Sequence, residues 1–172
     1  MGRVSYIERI PYLSPEYMKA DEHHHQVAYF EKLKKENPLL RNLTFAIPNG
    51  GSRNMVEAVN LKLEGVSPGV PDVFQAVPSG IYHGLFLEFK NMDKKSRPSD
   101  EQVRRINDLR SCGYIAVVVH GWAQAWEAQE LYQSMNYQPN GFNPFMAGVT
   151  RKGINYRAQL DGNYGYEYWL SN

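Results

Sequence analysis

Acidic and basic residues lie at two points of the chain where apolar strands are predicted. Asp72 follows Pro71 near the start of a strand predicted over residues 70–77, and Glu88 and Lys90 lie near the end of the apolar segment GLFLEFK. Residues two apart on a strand point to the same face, so Glu88 and Lys90 should be neighbours. A carboxylate within so apolar a segment is costly to bury unless it has a partner. On adjacent strands, Asp72 and Glu88 would lie side by side.

This pair of carboxylates has the chemistry of a site for a hard divalent cation. Two carboxylates, a backbone carbonyl and waters are oxygen ligands that suit Mg²⁺. Such a cation polarises a phosphodiester, activates a water and neutralises charge on the leaving oxygen. Lys90 beside it would hold or deprotonate the attacking water, or stabilise the charge of the transition state. The alternative is that Glu88 and Lys90 form an exposed ion pair on an edge strand. Their apolar neighbours argue against this alternative, because they favour burial.

The elements that would position these side chains alternate between helices and strands. Helical spacing and end signals predict helices over residues 21–36, 53–63, 99–109 and 122–133, and apolar segments predict strands over 43–47, 70–77, 84–90 and 114–119. Ser99 is the predicted N-cap of the third helix, with Gln102 at the capping-box position. From about Ser134 the chain is rich in Gly, Pro and Tyr, and segments 154–160 and 164–170 predict a β-hairpin.

Length and composition indicate one globular domain with an appended segment. The chain has 172 residues, of which 42% are hydrophobic and 22% charged. Its single cysteine, Cys112, excludes an intramolecular disulfide framework and a Cys-based zinc site. No apolar run approaches the roughly 20 residues that span a bilayer, and the N-terminus lacks the apolar core of a secretory signal. We therefore expect a cytoplasmic protein with no membrane partner.

The charge of the chain is nearly balanced but unevenly distributed. Nineteen Lys and Arg against 18 Asp and Glu give a net charge of +1, which argues against a broadly basic nucleic-acid binder. Residues 90–110 are the positive block, with seven basic and four acidic side chains. This block is either a solvated surface or a phosphate-contacting one, and charge alone favours the solvated surface.

The order of the motifs along the chain resembles one nuclease family. Pro71-Asp72, fifteen residues and then Glu88-x-Lys90 resemble the pattern of the PD-(D/E)xK nuclease superfamily. The surrounding motifs are Glu22 and Gln26 one turn apart, IPNGG at 47–51, GVSPGVPD at 65–72, PSDEQ at 98–102 and Gly113 before a buried strand. Together, over about residues 21–131, they resemble the VRR-NUC family, the virus-type replication–repair nuclease branch, whose stand-alone members occur in phages and bacteria.

The resemblance implies a fold and a division of the chain. The fold is α/β, a restriction-endonuclease-like core in which helices flank a central mixed β-sheet, with a Tyr/Gly-rich C-terminal extension. An N-terminal segment at 1–20 would precede a nuclease domain at 21–134, and the extension would occupy 135–172.

The resemblance also implies roles for individual residues. Asp72, Glu88 and the backbone carbonyl of Phe89 would bind the metal, Lys90 would be the catalytic lysine, Glu22 would complete the acidic cluster directly or through water, and Gln102 would orient Lys90 or the nucleophile. For three of these residues a structural role is the alternative. Asp72 could be a turn residue after Pro71, Glu22 could be a first-turn acid favoured by the helix dipole, and Gln102 could serve only the capping box.

The implied function is that of a metal-dependent DNA endonuclease, an Mg²⁺-dependent endodeoxyribonuclease in which Mn²⁺ could substitute. Its substrate would be branched DNA, as for Holliday-junction resolvases in replication and repair, and it would act as a homodimer without a small-molecule cofactor. Ordinary duplex or single-stranded DNA is the alternative substrate, and a catalytically silent DNA-binding module is the alternative class. The candidate DNA contacts are Asn49, Arg53, Lys94, Lys95, Arg97, Arg104 and Arg105.

The remaining conspicuous side chains are predicted to serve packing or solvation. Three consecutive helical residues cannot share one face, so His23, His24 and His25 do not form a metal site, and only His25 could line the active site. Trp122 and Trp126, four residues apart, are predicted to pack within the core rather than to stack on bases.

Overall fold

A four-stranded sheet, five helices and a separate pair of short strands form the described part of the chain. The computed structural model describes residues 19–48, 55–93, 95–135, 149–150 and 153–154. In chain order the elements are α1 (Glu22–Glu36), α2 (Pro38–Asn42), β1 (Thr44–Ala46), α3 (Met55–Leu63), β2 (Val73–Gln75), β3 (Leu85–Lys90), α4 (Asp100–Ser111), β4 (Ile115–His120) and α5 (Trp122–Gln133), followed by the short pair β5 (Val149–Thr150) and β6 (Gly153–Ile154).

The main sheet is mixed, with the strand order β1-β2-β3-β4. β2 pairs antiparallel with β1 and with β3, and β3 pairs parallel with β4. The parallel pair needs a crossover connection, which α4 provides between β3 and β4. Every residue of β3 is buried, and so are five of the six residues of β4, because helices cover both faces of this part of the sheet. The predicted mixed sheet flanked by helices is confirmed.

Two separate apolar clusters hold the helices on the sheet. Alternate residues of β3 point to opposite faces, so one strand contributes to both clusters. On one face the buried cluster joins α1 and α5 to the sheet through Tyr29, Leu33, Leu85, Leu87, Phe89, Val117, Val119, Ala125, Ala128 and Tyr132. On the other face Ile106 of α4 packs against Phe86, Ala116 and Val118. The core is therefore centred on β3 and β4.

The first predicted helix is confirmed, and a second short helix follows it. Asp21 caps α1 by accepting a hydrogen bond from the backbone N–H of His24 at 2.9 Å. The sequence Asn37-Pro38 predicts only a stop, but it also starts α2. The Asn37 side chain accepts a hydrogen bond from the N–H of Leu40 at 3.0 Å, and Pro38 needs no partner at the first helical position.

Strand lengths differ most from prediction in β2, which covers 73–75 rather than 70–77. Pro71 has no N–H to donate to a ladder, and the neighbouring strand β1 is itself only three residues long. The capping box of α4 is confirmed, because Ser99 and Gln102 exchange side chain-to-backbone hydrogen bonds.

The C-terminal extension is described only at β5 and β6, which pair antiparallel. Almost all of the hairpin predicted over 154–170 lies outside the described residues. Within the described ranges, no helix has the length and apolar character needed to cross a membrane.

Candidate active site

Asp72 and Glu88 lie next to each other where β2 meets β3. The strand register pairs Val73 with Leu87, so one further step places Asp72 opposite Glu88. The ladder ends before that step. Instead, Oδ2 of Asp72 accepts a hydrogen bond from the backbone N–H of Phe89 at 2.8 Å. The Asp72 side chain thus replaces a backbone acceptor and is held against the end of β3.

Glu88 is the most deeply buried charged residue of this cluster, with 1% of its surface exposed. Its Oε1 accepts hydrogen bonds from Nζ of Lys90, at 2.8 Å, and from Nε2 of Gln102. Its Oε2 is buried and has no hydrogen-bond partner among the described residues. A buried carboxylate oxygen without a partner is costly, so a ligand that binds this oxygen would stabilise the cluster.

Glu22 reaches the same cluster from the first turn of α1. Its Oε1 lies 4.0 Å from Nζ of Lys90 and accepts a hydrogen bond from Oγ of Ser96 at 3.1 Å. Ser96 belongs to the loop between β3 and α4. Asp93 stabilises the turn in this loop by accepting hydrogen bonds from the backbone N–H groups of Lys95 and Ser96. Sequence reasoning missed Ser96, because no motif marks a contact that depends on how this loop folds.

The pKa values of the cluster follow from burial and crowding of charge. Burial, reinforced by the negative charge of Asp72, raises the pKa of Glu88 to about 7. Burial likewise raises the pKa of Asp72, although the N–H of Phe89 and the charge of Lys90 oppose the shift. Two crowded carboxylates therefore resist simultaneous ionisation unless a cation balances them.

Lys90 remains protonated in this arrangement. Burial by itself would lower the pKa of Lys90, but the hydrogen bond and charge of Glu88, with Glu22 and Asp72, raise it above its usual value. Of the roles predicted for Lys90, the geometry favours charge stabilisation and hydrogen-bond donation over proton abstraction.

The glycine-rich segment before Asp72 packs against the start of α4. Gly69 adopts a φ of +77°, and a Cβ there would lie 2.8 Å from the carbonyl group of Glu101. Arg105 of α4 donates from Nη2 to Oγ of Ser67 at 2.8 Å. The absence of a side chain at Gly69 therefore lets the chain approach the helix that carries Gln102, and it sets where Asp72 enters the site.

The predicted DNA contacts are only partly described. Lys95, Arg97 and Arg104 are exposed, and Arg105 is half-buried by its contact with Ser67. The structure does not describe Asn49, Arg53 or Lys94. The DNA-binding role of the whole set stays a prediction.

His25 and the two tryptophans pack within the fold. His25 is fully buried, and burial lowers its pKa to about 4. The backbone N–H of Trp122 donates to Nδ1 of His25 at 3.4 Å. Trp122 and Trp126 both pack against the main apolar cluster, and Nζ of Lys32 lies 4.4 Å from the centroid of the Trp126 ring.

The donor set fits a hard cation held by two carboxylates. Within the described residues, no three His, Cys, Asp or Glu side chains are arranged to hold a metal ion together. Mg²⁺ does not require three, because it commonly keeps several waters and binds one or two carboxylates. The buried Oε2 of Glu88 and the adjacent Asp72 could provide those oxygens, whereas a softer ion would need nitrogen or sulfur ligands that the cluster lacks.

Comparison with known proteins identifies the family. A model of the VRR-NUC domain matches residues 14–123, which is more than half of the chain. A solved structure described as a VRR_NUC domain protein is 27% identical and superposes with a TM-score of 0.60 over 69% of this chain and 92% of that one. No curated protein matches the chain. The matched range contains Glu22, Asp72, Glu88, Lys90 and Gln102, and the chain belongs to the VRR-NUC domain family, with that family's nuclease-type fold.

Proposed function

We propose that the protein is a metal-dependent endonuclease that hydrolyses phosphodiester bonds of DNA. The observation that carries the proposal is the buried oxygen of Glu88 beside Asp72, which has no partner among the described residues, while Lys90 and Gln102 contact the other oxygen. Membership of a nuclease family supports the same chemistry. A cation held between Asp72 and Glu88 would satisfy this oxygen and balance the two crowded carboxylates.

Asp72, Glu88 and the carbonyl of Phe89 would hold the cation, and Glu22 would join them directly or through water. Mg²⁺, or Mn²⁺ in its place, would supply Lewis-acid activation of the phosphate and a more acidic water. The protonated Lys90 would stabilise the charge that develops on the scissile phosphate. Gln102 would keep Glu88 in place through its hydrogen bond, and Ser96 would do the same for Glu22.

We further propose that the substrate is branched DNA and that the protein acts as a homodimer. One active site of this kind cuts one strand, so paired cuts at a symmetric junction require two copies related by symmetry. Cleavage of ordinary duplex or single-stranded DNA, and binding without cleavage, are the outcomes against which the proposal is tested.

The test compares wild type with Asp72→Asn on three DNA substrates of shared sequence: a four-way junction, a linear duplex and a single strand. Each is incubated with Mg²⁺, Mn²⁺ or EDTA. Wild type is expected to cut the junction fastest and only with a metal. Asp72→Asn keeps an acceptor for the N–H of Phe89 but loses a charge, so its cleavage should fall by about 10²–10³-fold. Glu127→Gln, an exposed position on α5, is the control and should retain full activity.

Four results would contradict parts of the proposal. Full activity of Asp72→Asn would remove the catalytic assignment, and equal rates on junction and duplex would remove the preference for branched DNA. Binding without cleavage in either metal would favour the catalytically silent module. Sedimentation of the protein on a junction as a monomer would count against paired cleavage.

A further inference from the structure

A groove outside the catalytic cluster lies between α1 and the edge strand β1. It has a volume of about 390 Å³, within the range of sites that hold a small molecule or one part of a polymer. Gln26 and Lys34 of α1 line it on one side, Ala46 of β1 lines it on the other, and Arg41 of α2 also contributes. None of the residues Asp72, Glu88, Lys90 and Gln102 belongs to it.

Both walls of the groove lead directly to the active site. On α1, Gln26 lies one turn after Glu22, whose carboxylate is 4.0 Å from Nζ of Lys90. On the other wall, Ala46 is followed by Ile47, whose backbone N–H donates to the carbonyl of Asp72 at 2.7 Å. A polymer that leaves the site between Glu22 and Asp72 would therefore meet the groove next.

The charge of the groove suits a polyanion. Lys34 and Arg41 contribute two permanent positive charges, and Glu31 contributes one negative charge. Arg41 is already engaged, because it donates to the carbonyl of Thr44 at 3.0 Å and stacks over the ring of Phe30. Lys34 is exposed, so it is the cation best placed to meet a phosphate from solution.

We propose that this groove receives the DNA strand that continues from the scissile phosphate and that Lys34 contacts its backbone. The inference rests on the proposed function. Lys34 follows Glu22 by twelve residues in the same helix, which is ~18 Å along the helix axis. At ~3.4 Å per nucleotide of one strand, this distance corresponds to about five nucleotides from the cut.

The chain supplies a matched control for this proposal, because Lys35 is the next residue of the same helix. Lys35 is also exposed but does not line the groove. The experiment measures the affinity of wild type, Lys34→Ala and Lys35→Ala for a four-way junction and a duplex, in Ca²⁺ without cleavage, over a series of salt concentrations. Both variants lose one charge from α1, so a difference between them reports position and not net charge.

Lys34→Ala is expected to bind about eightfold more weakly at 0.1 M salt, and the slope of log affinity against log salt should fall in magnitude by about 0.9, the value for one phosphate contact. Lys35→Ala should keep the wild-type slope. With DNA trimmed to about three nucleotides on the groove side of the cut, Lys34→Ala and wild type should bind equally.

Equal slopes for Lys34→Ala and wild type on full-length DNA would overturn the proposal. It would also be overturned if Lys34→Ala changed the sedimentation of the free protein without changing DNA affinity, because the groove would then face a second copy of the chain. Failure of wild type to bind or cut any of the substrates would overturn the proposed function itself. If wild type cleaved DNA but Lys34→Ala and Lys35→Ala had the same DNA affinity and salt dependence, only the proposed role of the groove would be overturned.

Discussion

The two faces of β3 show how one strand serves both packing and chemistry. Leu85, Leu87 and Phe89 point to the face covered by α1 and α5, where they pack in the main apolar cluster. The alternate residues point to the face covered by α4, where Phe86 is apolar but Glu88 and Lys90 are charged. All six residues are buried, so burial alone does not distinguish the two faces.

The difference lies in what burial does to each face. On the apolar face, removing side chains from water stabilises the fold. At the polar end of the other face, the same burial raises the pKa of Glu88 and leaves one of its oxygens without a partner among the residues described. The apolar face therefore provides a rigid base that holds the cluster of charges in place. Substitutions on the apolar face should lower the free energy of unfolding, whereas substitutions in the charged cluster should lower cleavage.

Substitution of neighbouring residues on opposite faces of β3 should give the largest effects. Glu88→Gln should lower cleavage by at least about 10²–10³-fold, because the cation would lose a charged ligand. At pH 5, where the folded chain holds Glu88 protonated, the free energy of unfolding of this variant should differ from that of wild type by about 1 kcal/mol or less, because Gln has the shape of the neutral carboxyl that it replaces. Leu87→Ala should instead lower the free energy of unfolding by about 2–5 kcal/mol, with the folded fraction still active.

Urea unfolding and junction cleavage, measured on the same preparations, check both halves of this prediction. If Glu88→Gln lost as much stability as Leu87→Ala, or if Leu87→Ala lost activity while fully folded, the separation of the two faces would be wrong.

A substitution at Gly69 should disturb only the side of the sheet that carries α4. Gly69→Ala should lower the free energy of unfolding by roughly 2–4 kcal/mol, since a left-handed backbone is combined with a Cβ only 2.8 Å from the carbonyl of Glu101. Cleavage should also fall, because Asp72 or Gln102 must move to relieve the contact.

Gly65→Ala provides the control for this effect. Gly65 has a φ of +97°, but a Cβ there meets no atom within 4 Å. It should therefore show only the backbone cost, about 1–2 kcal/mol, and unchanged cleavage. The stability of both variants is measured by thermal unfolding, and their cleavage rates are compared. If both lost the same stability and the same cleavage rate, the close approach at Gly69 would be unimportant.

The smallest expected effect is a pH dependence of stability that arises from the polar face. The pKa of Glu88 is raised from 4.5 to about 7, so between these values the folded chain holds a proton that the unfolded chain has lost. The contribution of Glu88 to the free energy of unfolding therefore falls as pH rises from about 4.5 to about 7, and that of Asp72 has the same sign. His25, with a pKa lowered to about 4, acts in the opposite direction and partly cancels the effect.

The informative quantity is thus the stability of wild type minus that of Glu88→Gln, from urea unfolding in EDTA at pH 5, 6, 7 and 8. This difference should decrease with pH up to about 7 and then level off. A flat or increasing difference would mean that Glu88 is ionised throughout. The raised pKa of Lys90 contributes only above pH 10.5, outside this range.

The order of the elements and the identity of the catalytic candidates follow from local patterns. Helical spacing, the capping box at Ser99 and the β-branched segment before His120 are each readable within about a dozen residues. The Asp72 and Glu88-x-Lys90 motifs are likewise local, and the alternation of a strand places Glu88 and Lys90 on one face without further information. For these reasons the family and its fold could be predicted before the structure.

The contacts between distant segments depend on the tertiary structure. The register of β2 against β3 placed Asp72 opposite Glu88, and the fold of the loop after β3 brought Ser96 to Glu22. The restart of the helix at Pro38 and the groove between α1 and β1 also depend on packing. Sequence encodes propensity and spacing within a segment, whereas distances between segments are set by which surfaces can be buried together, and only the folded chain specifies those.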